Sequence, residues 1–370
     1  MAGPGLFDPL DLRGLRLAHR GWVAPMCQYS VRPQDTAGMP NDWHLMHLGQ
    51  FAAGGAALIL TEATAVSAEG RISPRDTGLW TDGQAEAWQR IVRFVHEHGS
   101  AQAKIGIQLA HAGRKASTYW PFAAGPGRKG SVAVADGGWQ TVAPTPEPFD
   151  GYAAPKALDE AGILAVVRDF RDAAVRAVEA GFDTVEIHAA HGYLLHQFLS
   201  PLVNTRTDGW GGSEQKRSRL VLDVVAAVRS VLPDSMPLLL RVSASDWAPG
   251  GLEPPELAAL AVQAREAGAD FIDVSSGGAV AGVKIPLSPG YQVPFAAEIR
   301  RRSGVPVGAV GLISRPGHAQ RIIAEGSADA VLIARAALRD PHWWLRAGVA
   351  LKARVPWPPQ YERAAVEEDF

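Results

Sequence analysis

One pattern recurs along the chain: an amphipathic stretch ends in glycine, a short polar turn follows, and then comes a compact apolar run. It appears as "FAAGGAALILTEA", "VHEHGSAQAKIGIQLA", "AVEAGFDTVEIHAA", "AREAGADFIDVSS", "RRSGVPVGAVGL" and "IAEGSADAVLIARA". The glycine is the expected left-handed helix terminator, because it alone carries no Cβ penalty there. The runs that follow are almost continuously apolar, as strands covered on both faces are. With "GWVAPMCQYS" near the front and "MPLLLRVSAS" after Pro233, eight strands are predicted, near 22–27, 57–63, 103–109, 183–188, 237–243, 270–275, 306–310 and 330–334. Helices fit between them, near 43–53, 84–98, 159–180, 213–231, 254–267, 293–302 and 316–325. Alternation of this length implies parallel strands with helical crossovers. Eight units suggest a closed barrel, whereas about six would suit an open doubly wound sheet. The expected fold is α/β, one (β/α)8 TIM barrel spanning residues 1–370 as a single domain.

The main irregularity is residues 112–158, a Gly- and Pro-rich segment between the third strand and the next helix. A loop of that length is functional or disordered. Its aromatics Tyr119, Trp120, Phe122, Trp139 and Phe149 favour an ordered cap over the barrel mouth. Composition narrows the function classes. A net charge of −2 with interspersed acids and bases gives no reason to expect nucleic acid or an anionic membrane as partner. No apolar run approaches the roughly 20 residues that cross a bilayer. The opening "MAGPGLFDPLDLRGLRL" has charges within its apolar stretch, so a cytoplasmic protein is expected. The single cysteine excludes a disulfide or a four-cysteine cluster within one chain.

In such barrels chemistry sits at the carboxyl ends of the strands. Here those ends read "APMCQYS", "TEA", "QLAHAGR", "HAAHGY", "RVSASDW", "GAVGLI" and "IARAAL". Backbone amides after the seventh and eighth strands form the usual phosphate cradle of barrels, with Gly311 allowing close approach and Arg335 supplying a cation. Arg241 ends a strand of leucines, where an unpaired charge is costly, so it needs an anionic or carbonyl partner. In "HAAHGY", His188 and His191 have three readings. They could ligate a metal, with Glu186 on the same face of the strand, as in a metal-dependent barrel hydrolase. They could be ordinary buried histidines. Or, as neutral imidazoles, they could donate two N–H bonds to one oxygen, with Tyr193 delivering a proton nearby.

Taken together, "APMCQYS", "GIQLAHAGRK", "HAAHGYLLHQFLSPLVNTRTDGWGGS" and "RVSASDW" resemble the Old Yellow Enzyme family, specifically its thermophilic-type bacterial ene-reductases. The resemblance runs almost end to end. It implies a barrel that holds FMN non-covalently, is reduced by NADPH or NADH, and reduces activated alkenes. It further implies that the backbone of Ala24, Pro25, Met26 and Cys27, with Ala63, lines the flavin. Gln108 and Arg241 would meet its pyrimidine side, and Gly311, Ala334 and Arg335 its phosphate. His188 and His191 would grip the substrate carbonyl, Tyr193 would protonate the α-carbon, and Tyr29 would be a second substrate-facing phenol. No metal is implied. Two departures stand out: Ala334 replaces the glycine usual before the phosphate arginine, and "AHRGW" differs from the commoner "KNRI". The resemblance also implies a homodimer or homotetramer whose C-terminal arm, residues 354–370, carries Arg363 into the neighbouring active site. Within "SPLVNTRTDGWGGS", Ser213 is a predicted helix N-cap, and Arg206 with Asp208 can tie the loop down.

Overall fold

The computed structural model describes residues 3–123 and 129–365. Eight parallel strands close into a barrel: β1 Gly21–Val23, β2 Leu58–Ala65, β3 Lys104–Ala110, β4 Thr184–Ala189, β5 Leu238–Ser243, β6 Phe271–Ser275, β7 Val307–Ala309 and β8 Ala330–Ile333. Each strand pairs with its neighbours in sequence, and β8 returns to β1 through Val331 opposite Gly21. The helices α1 Asp42–Ala53, α2 Asp82–His98, α3 Glu160–Glu179, α5 Glu214–Arg229, α6 Pro254–Ala267, α7 Val293–Ser303 and α8 Pro316–Ala324 lie where the periodicity places them. Three short ones were not anticipated: α4 Leu194–Leu199, α9 Arg335–Arg339 and α10 Trp343–Leu351. The first two, at six and five residues, are too short to display a helical period.

Of the expected left-handed terminators, Gly55, Gly181, Gly268, Gly304 and Gly326 have positive φ. Gly99 does not. Its φ is −70°, and the chain enters a 3-10 turn in which Gln102 takes the left-handed conformation instead, at φ 56°. β1 also stops at Val23, short of the expected residue 27: the Ala24 amide still donates to Ile333 O at 3.0 Å, but the chain then leaves the ladder, and the Gln28 amide donates to the Glu62 carboxylate at 3.0 Å.

Inside the barrel, period-two alternation stacks side chains in layers. The lower layers are apolar: Trp22, Leu58, Leu60, Leu239, Phe271 and Leu332 pack together, with the Trp22 and Phe271 rings 4.8 Å apart. An N-terminal hairpin, Leu10–Leu12 against Leu15–Leu17, plugs the bottom by adding Leu12 and Leu17 to this cluster. One pleat higher on β3, β4, β5 and β6 the same inward positions become Gln108, Glu186, Arg241 and Asp273, all buried. The filled floor leaves space for a ligand only above this polar layer.

The capping segment is ordered where described. The Thr118 amide donates to Ile72 O at 2.8 Å, Trp139 Nε1 to Glu69 O at 2.8 Å, and Arg71 and Arg75 stack on Trp139 and Trp120. Arg206 donates to Pro144 O and Leu158 O at 2.8 and 2.6 Å while pairing with Asp208, so it clamps the long loop after α4 to the cap. Ser213 caps α5 by accepting the Lys216 amide, as expected. In "AHRGW", buried His19 bonds to Gly55 O at 2.8 Å, so the departure before β1 ties that strand to the end of α1. Among the described residues, no helix is long and apolar enough to cross a membrane.

The hairpin plug yields a stability expectation. Leu17→Ala empties a fully buried site that only the hairpin can fill, and should cost about 2–5 kcal/mol. Urea unfolding measures this loss, while ligand binding at the far end of the barrel stays intact.

Candidate active site

The polar layer is the floor of the site. Gln108 Nε2 donates to Glu186 Oε1 at 2.7 Å. Arg241 Nε lies 2.9 Å from Asp273 Oδ2, the partner that a buried guanidinium at this position required. That contact is close but not aligned as a hydrogen bond, and Glu186 Oε2 and both Asp273 oxygens accept none from the protein. Burial, followed by the neighbouring Asp273, pushes the Glu186 carboxyl up to about 8, and burial raises Asp273 as well. Charge attraction holds this layer, and it retains hydrogen-bonding capacity for a ligand above.

The turn after β4 brings the opening motif together. His188 faces inward in register with Arg241. His191 adopts the left-handed conformation, φ 59°, which is uncommon for a non-glycine residue. Two contacts hold it there: its amide donates to Ser243 Oγ at 3.0 Å, and Lys115 Nζ donates to its carbonyl at 2.8 Å. The next residue, Gly192, touches the backbone of Gly278, where a Cβ would sit 1.9 Å from the carbonyl oxygen; only glycine allows that approach. As a result His188 Nε2 and His191 Nδ1 converge to 3.3 Å, and the Tyr193 ring packs edge-on to His188 at 5.1 Å. Burial, reinforced by Arg241, pushes both imidazoles well below their ordinary range, so they are neutral at pH 7. The Ala190 amide donates to His188 Nδ1 at 3.2 Å, which leaves the proton of the neutral ring on Nε2, facing the site. Burial holds Tyr193 protonated by raising its phenol well above the usual value.

Cys27, Tyr29 and Tyr193 pack against Ala63, Ala110 and Ala112 at one side of the mouth. Burial, then Asp76 and Glu62, push the Cys27 thiol up, so it is a thiol rather than a thiolate. Tyr29, Lys115, Tyr152 and Tyr193 line a mouth cavity of about 420 Å³. Burial and the adjacent Arg114 bring Lys115 down to about 8.

A second cavity, about 400 Å³, runs from Arg241 along Ala24 and Pro25 to Gly311, Ala334 and Arg335. Gly311 sits at φ 114°, and a side chain there would press on Tyr291 and Gln292, so this wall needs a glycine. Ala334 sits at φ −108° and ψ −97°, outside the ordinary β and helical regions, so replacing the usual glycine puts an alanine in a backbone conformation that glycine adopts more readily. An acceptor-poor guanidinium and an amide over the floor, joined to a cradle with its own arginine, suit a flavin ring and its phosphate. The residues present fit FMN.

All the site residues expected from the sequence therefore gather at one end of the barrel, except Arg363. That residue is exposed in the turn Pro359–Ala364. Its neighbours Gln360 and Tyr361 lie in a groove with Leu45, Met46 and Phe94 on the outer α1–α2 face, away from the histidines of its own chain. The terminal residues 366–370 of the expected arm lie outside the described residues. Among the described residues, no third side chain completes a metal-binding trio with His188 and His191, so the hydrolase reading finds no support. Sequence reasoning gave no role to Asp273, Lys115, Ser243, Ser275 or Gln292. Asp273 had a legible signal, a charge within the apolar run "FIDVSS", matching the one that marked Arg241. The others had none, because their roles arise from contacts between loops distant in sequence.

Known proteins show which family this barrel resembles. The model of the NADH:flavin oxidoreductase / NADH oxidase family matches residues 5–353. An NADPH dehydrogenase of Listeria innocua is 45% identical over 360 residues, covering 97% of this chain and 98% of its own. One from a Geobacillus species, strain WCH70, is 43% identical over 359 residues at the same coverage. Among solved structures, morphinone reductase superposes with a TM-score of 0.77 at 29% identity, covering 97% of this chain and 93% of that one. The same enzyme is also known in complex with tetrahydroNAD.

The buried neutral imidazoles imply a pH dependence of stability. Below about pH 6.5 the unfolded chain takes up protons that folded His188 and His191 refuse. Their contribution is complete above that pH and declines as the pH falls through it. His19 and His47, both lowered to about 4 by burial, act in the same direction. Urea unfolding from pH 7.5 to 5 should show this acid limb, and a His188→Asn/His191→Asn double variant should flatten it in part.

Proposed function

The chain belongs to the NADH:flavin oxidoreductase / NADH oxidase family, the Old Yellow Enzymes, as an FMN-dependent NADPH:flavin oxidoreductase, and from that premise we propose that it is an ene-reductase. Its substrates on this reading are alkenes activated by a carbonyl or nitro group. The observation that carries the reading is the convergence of His188 Nε2 and His191 Nδ1 at 3.3 Å beside a protonated Tyr193. Hydride transfer from a nicotinamide to an alkene is the chemistry FMN supplies when bound. Ala24, Pro25, Met26, Cys27 and Ala63 would line the ring, Gln108 and Arg241 its pyrimidine edge, and Gly311, Ala334 and Arg335 the phosphate.

The rest falls to the chain's own side chains. The imidazole pair holds the substrate's carbonyl or nitro oxygen and stabilises the negative charge that develops on it when the β-carbon accepts hydride. Because the imidazoles are neutral, they stabilise the oxygen by donating hydrogen bonds without giving up a proton, which leaves proton delivery to Tyr193. Tyr193 gives its phenolic proton to the α-carbon, and Tyr29, which lines the same cavity, is a second substrate-facing phenol. Lys115 supports the His191 turn from below the cap.

The two roles separate experimentally. Replacing either histidine by alanine should remove stabilisation worth about 2–4 kcal/mol in alkene reduction and weaken the binding of phenols, followed as a charge-transfer band. Tyr193→Phe should keep affinity and slow turnover, more for cyclohexenone than for a nitroalkene, whose anion water can protonate. Stopped-flow alkene reduction that is unchanged in the histidine variants would refute the reading.

The assembly reading is a homodimer or dimer of dimers in which the C-terminal arm of one chain serves the mouth of another. Its support is an exposed apolar patch: Trp43, Met46 and Tyr361 are 49%, 46% and 46% exposed. Asp42 and Met46 line both the groove under the arm and the cavity that opens beside Tyr29. On this reading Arg363 acts in the neighbouring site rather than its own. Truncation before Trp357 should raise KM for small enones and shift the sedimentation velocity towards the monomer; a truncated protein with full activity and unchanged assembly would exclude this role.

A further inference from the structure

Two hydrogen-bond networks meet at His191. One comes from β4, where the proton of neutral His188 lies on Nε2, 3.3 Å from His191 Nδ1. The other comes from β6, where Ser275 Oγ lies 2.8 Å from His191 Nε2. The ring is neutral, so it carries one proton, and the arrangement around Ser275 decides which nitrogen holds it.

The Ser275 hydroxyl has one hydrogen and two acceptors within reach, His191 Nε2 at 2.8 Å and Gln292 Oε1 at 3.4 Å. The second distance exceeds the roughly 2.5–3.0 Å range of an O–H···O bond. Gln292 Oε1 is moreover engaged by Ser276 Oγ at 2.5 Å. The hydroxyl hydrogen therefore points to the imidazole, Nε2 is the accepting nitrogen, and the ring proton sits on Nδ1. Two N–H groups, on His188 Nε2 and His191 Nδ1, then stand 3.3 Å apart with no acceptor between them, and an oxygen entering the site can accept from both. The opposite tautomer would let His191 Nδ1 accept the His188 N–H, closing the pair on itself and removing both donors from any incoming oxygen.

We propose that Ser275 is a positioning residue that fixes His191 as its Nδ1–H tautomer, so that both imidazoles present a donor to the substrate oxygen. The proposal rests on the reading of the histidine pair as the oxygen-holding group, and it adds what makes the pair a double donor. Gln292, held by Ser276, keeps the Ser275 hydroxyl from turning away. Gln292 also lines the phosphate-side cavity, so the network links that wall to the substrate site.

The test uses the FMN-loaded enzyme labelled with 15N-histidine, with flavin absorbance and cooperative unfolding confirming that each variant is intact. In the wild type, His191 should show a protonated Nδ1 and a bare Nε2. Ser275→Ala should reverse that pattern and weaken p-hydroxybenzaldehyde binding about tenfold or more, whereas Ser275→Thr, which keeps the hydroxyl, should restore both. A purely packing role would not move the tautomer or be rescued by threonine. A wild-type Nε2–H signal, or an unchanged Nδ1–H signal in Ser275→Ala, overturns the proposal even if alkene reduction proceeds as described. Failure of alkene reduction alone would remove the ene-reductase reading and leave these nitrogen signals, and the tautomer assignment, standing.

Discussion

Inside the barrel, one pleat above the last leucines, Arg241 pairs with Asp273 on the neighbouring strand at 2.9 Å. A guanidinium this deeply buried without a carboxylate would be prohibitively costly, and a carboxylate without it equally so. Their proximity makes a charged floor possible in an otherwise apolar tube. That floor then governs its surroundings: Arg241 helps to keep both imidazoles neutral, and Asp273 helps to keep Glu186 protonated. The electrostatics of the mouth follow from one ion pair and the desolvation around it.

Above the floor, geometry is set by backbone approach rather than by charge. The chain after β4 must turn sharply enough to aim two rings at one point. It does so by placing His191 in a left-handed conformation and pressing Gly192 against Gly278. Strain of this kind persists only where surrounding contacts over-determine it. Ser243 and Lys115 supply them, one bonding the amide and one the carbonyl of the same residue. The capping segment contributes by carrying Lys115, so the long loop after β3 helps to shape the site as well as to cover it.

The sequence made the scaffold legible because barrels of this kind are built from local signals. Glycine-terminated helices and doubly buried apolar strands recur at regular intervals, and their count of eight favoured closure. The strand-end rule then gathers Ala24, Gln108, His188, Arg241, Gly311 and Arg335 at one mouth. Errors arose where a local signal had a second solution. Gly99 ended its helix, but the left-handed step passed to Gln102. The first strand ended early although its apolar run continued, because the chain turns out of the ladder after Ala24, and by Gln28 its amide bonds the Glu62 carboxylate instead.

The amino-acid order alone thus determined the element types, the barrel and the end at which chemistry sits, since these depend on periodicity and on chain direction. Tertiary structure alone decided which groups meet across that end. The pairing of Arg241 with Asp273 follows from strand register, and the meeting of Ser275 with His191 from the stagger of β4 against β6. The reach of Lys115 to the carbonyl of His191 spans 76 positions of sequence. Protonation states belong to the same class. An imidazole is neutral and a carboxyl protonated here because of burial and neighbouring charge, and neither exists until the barrel has closed.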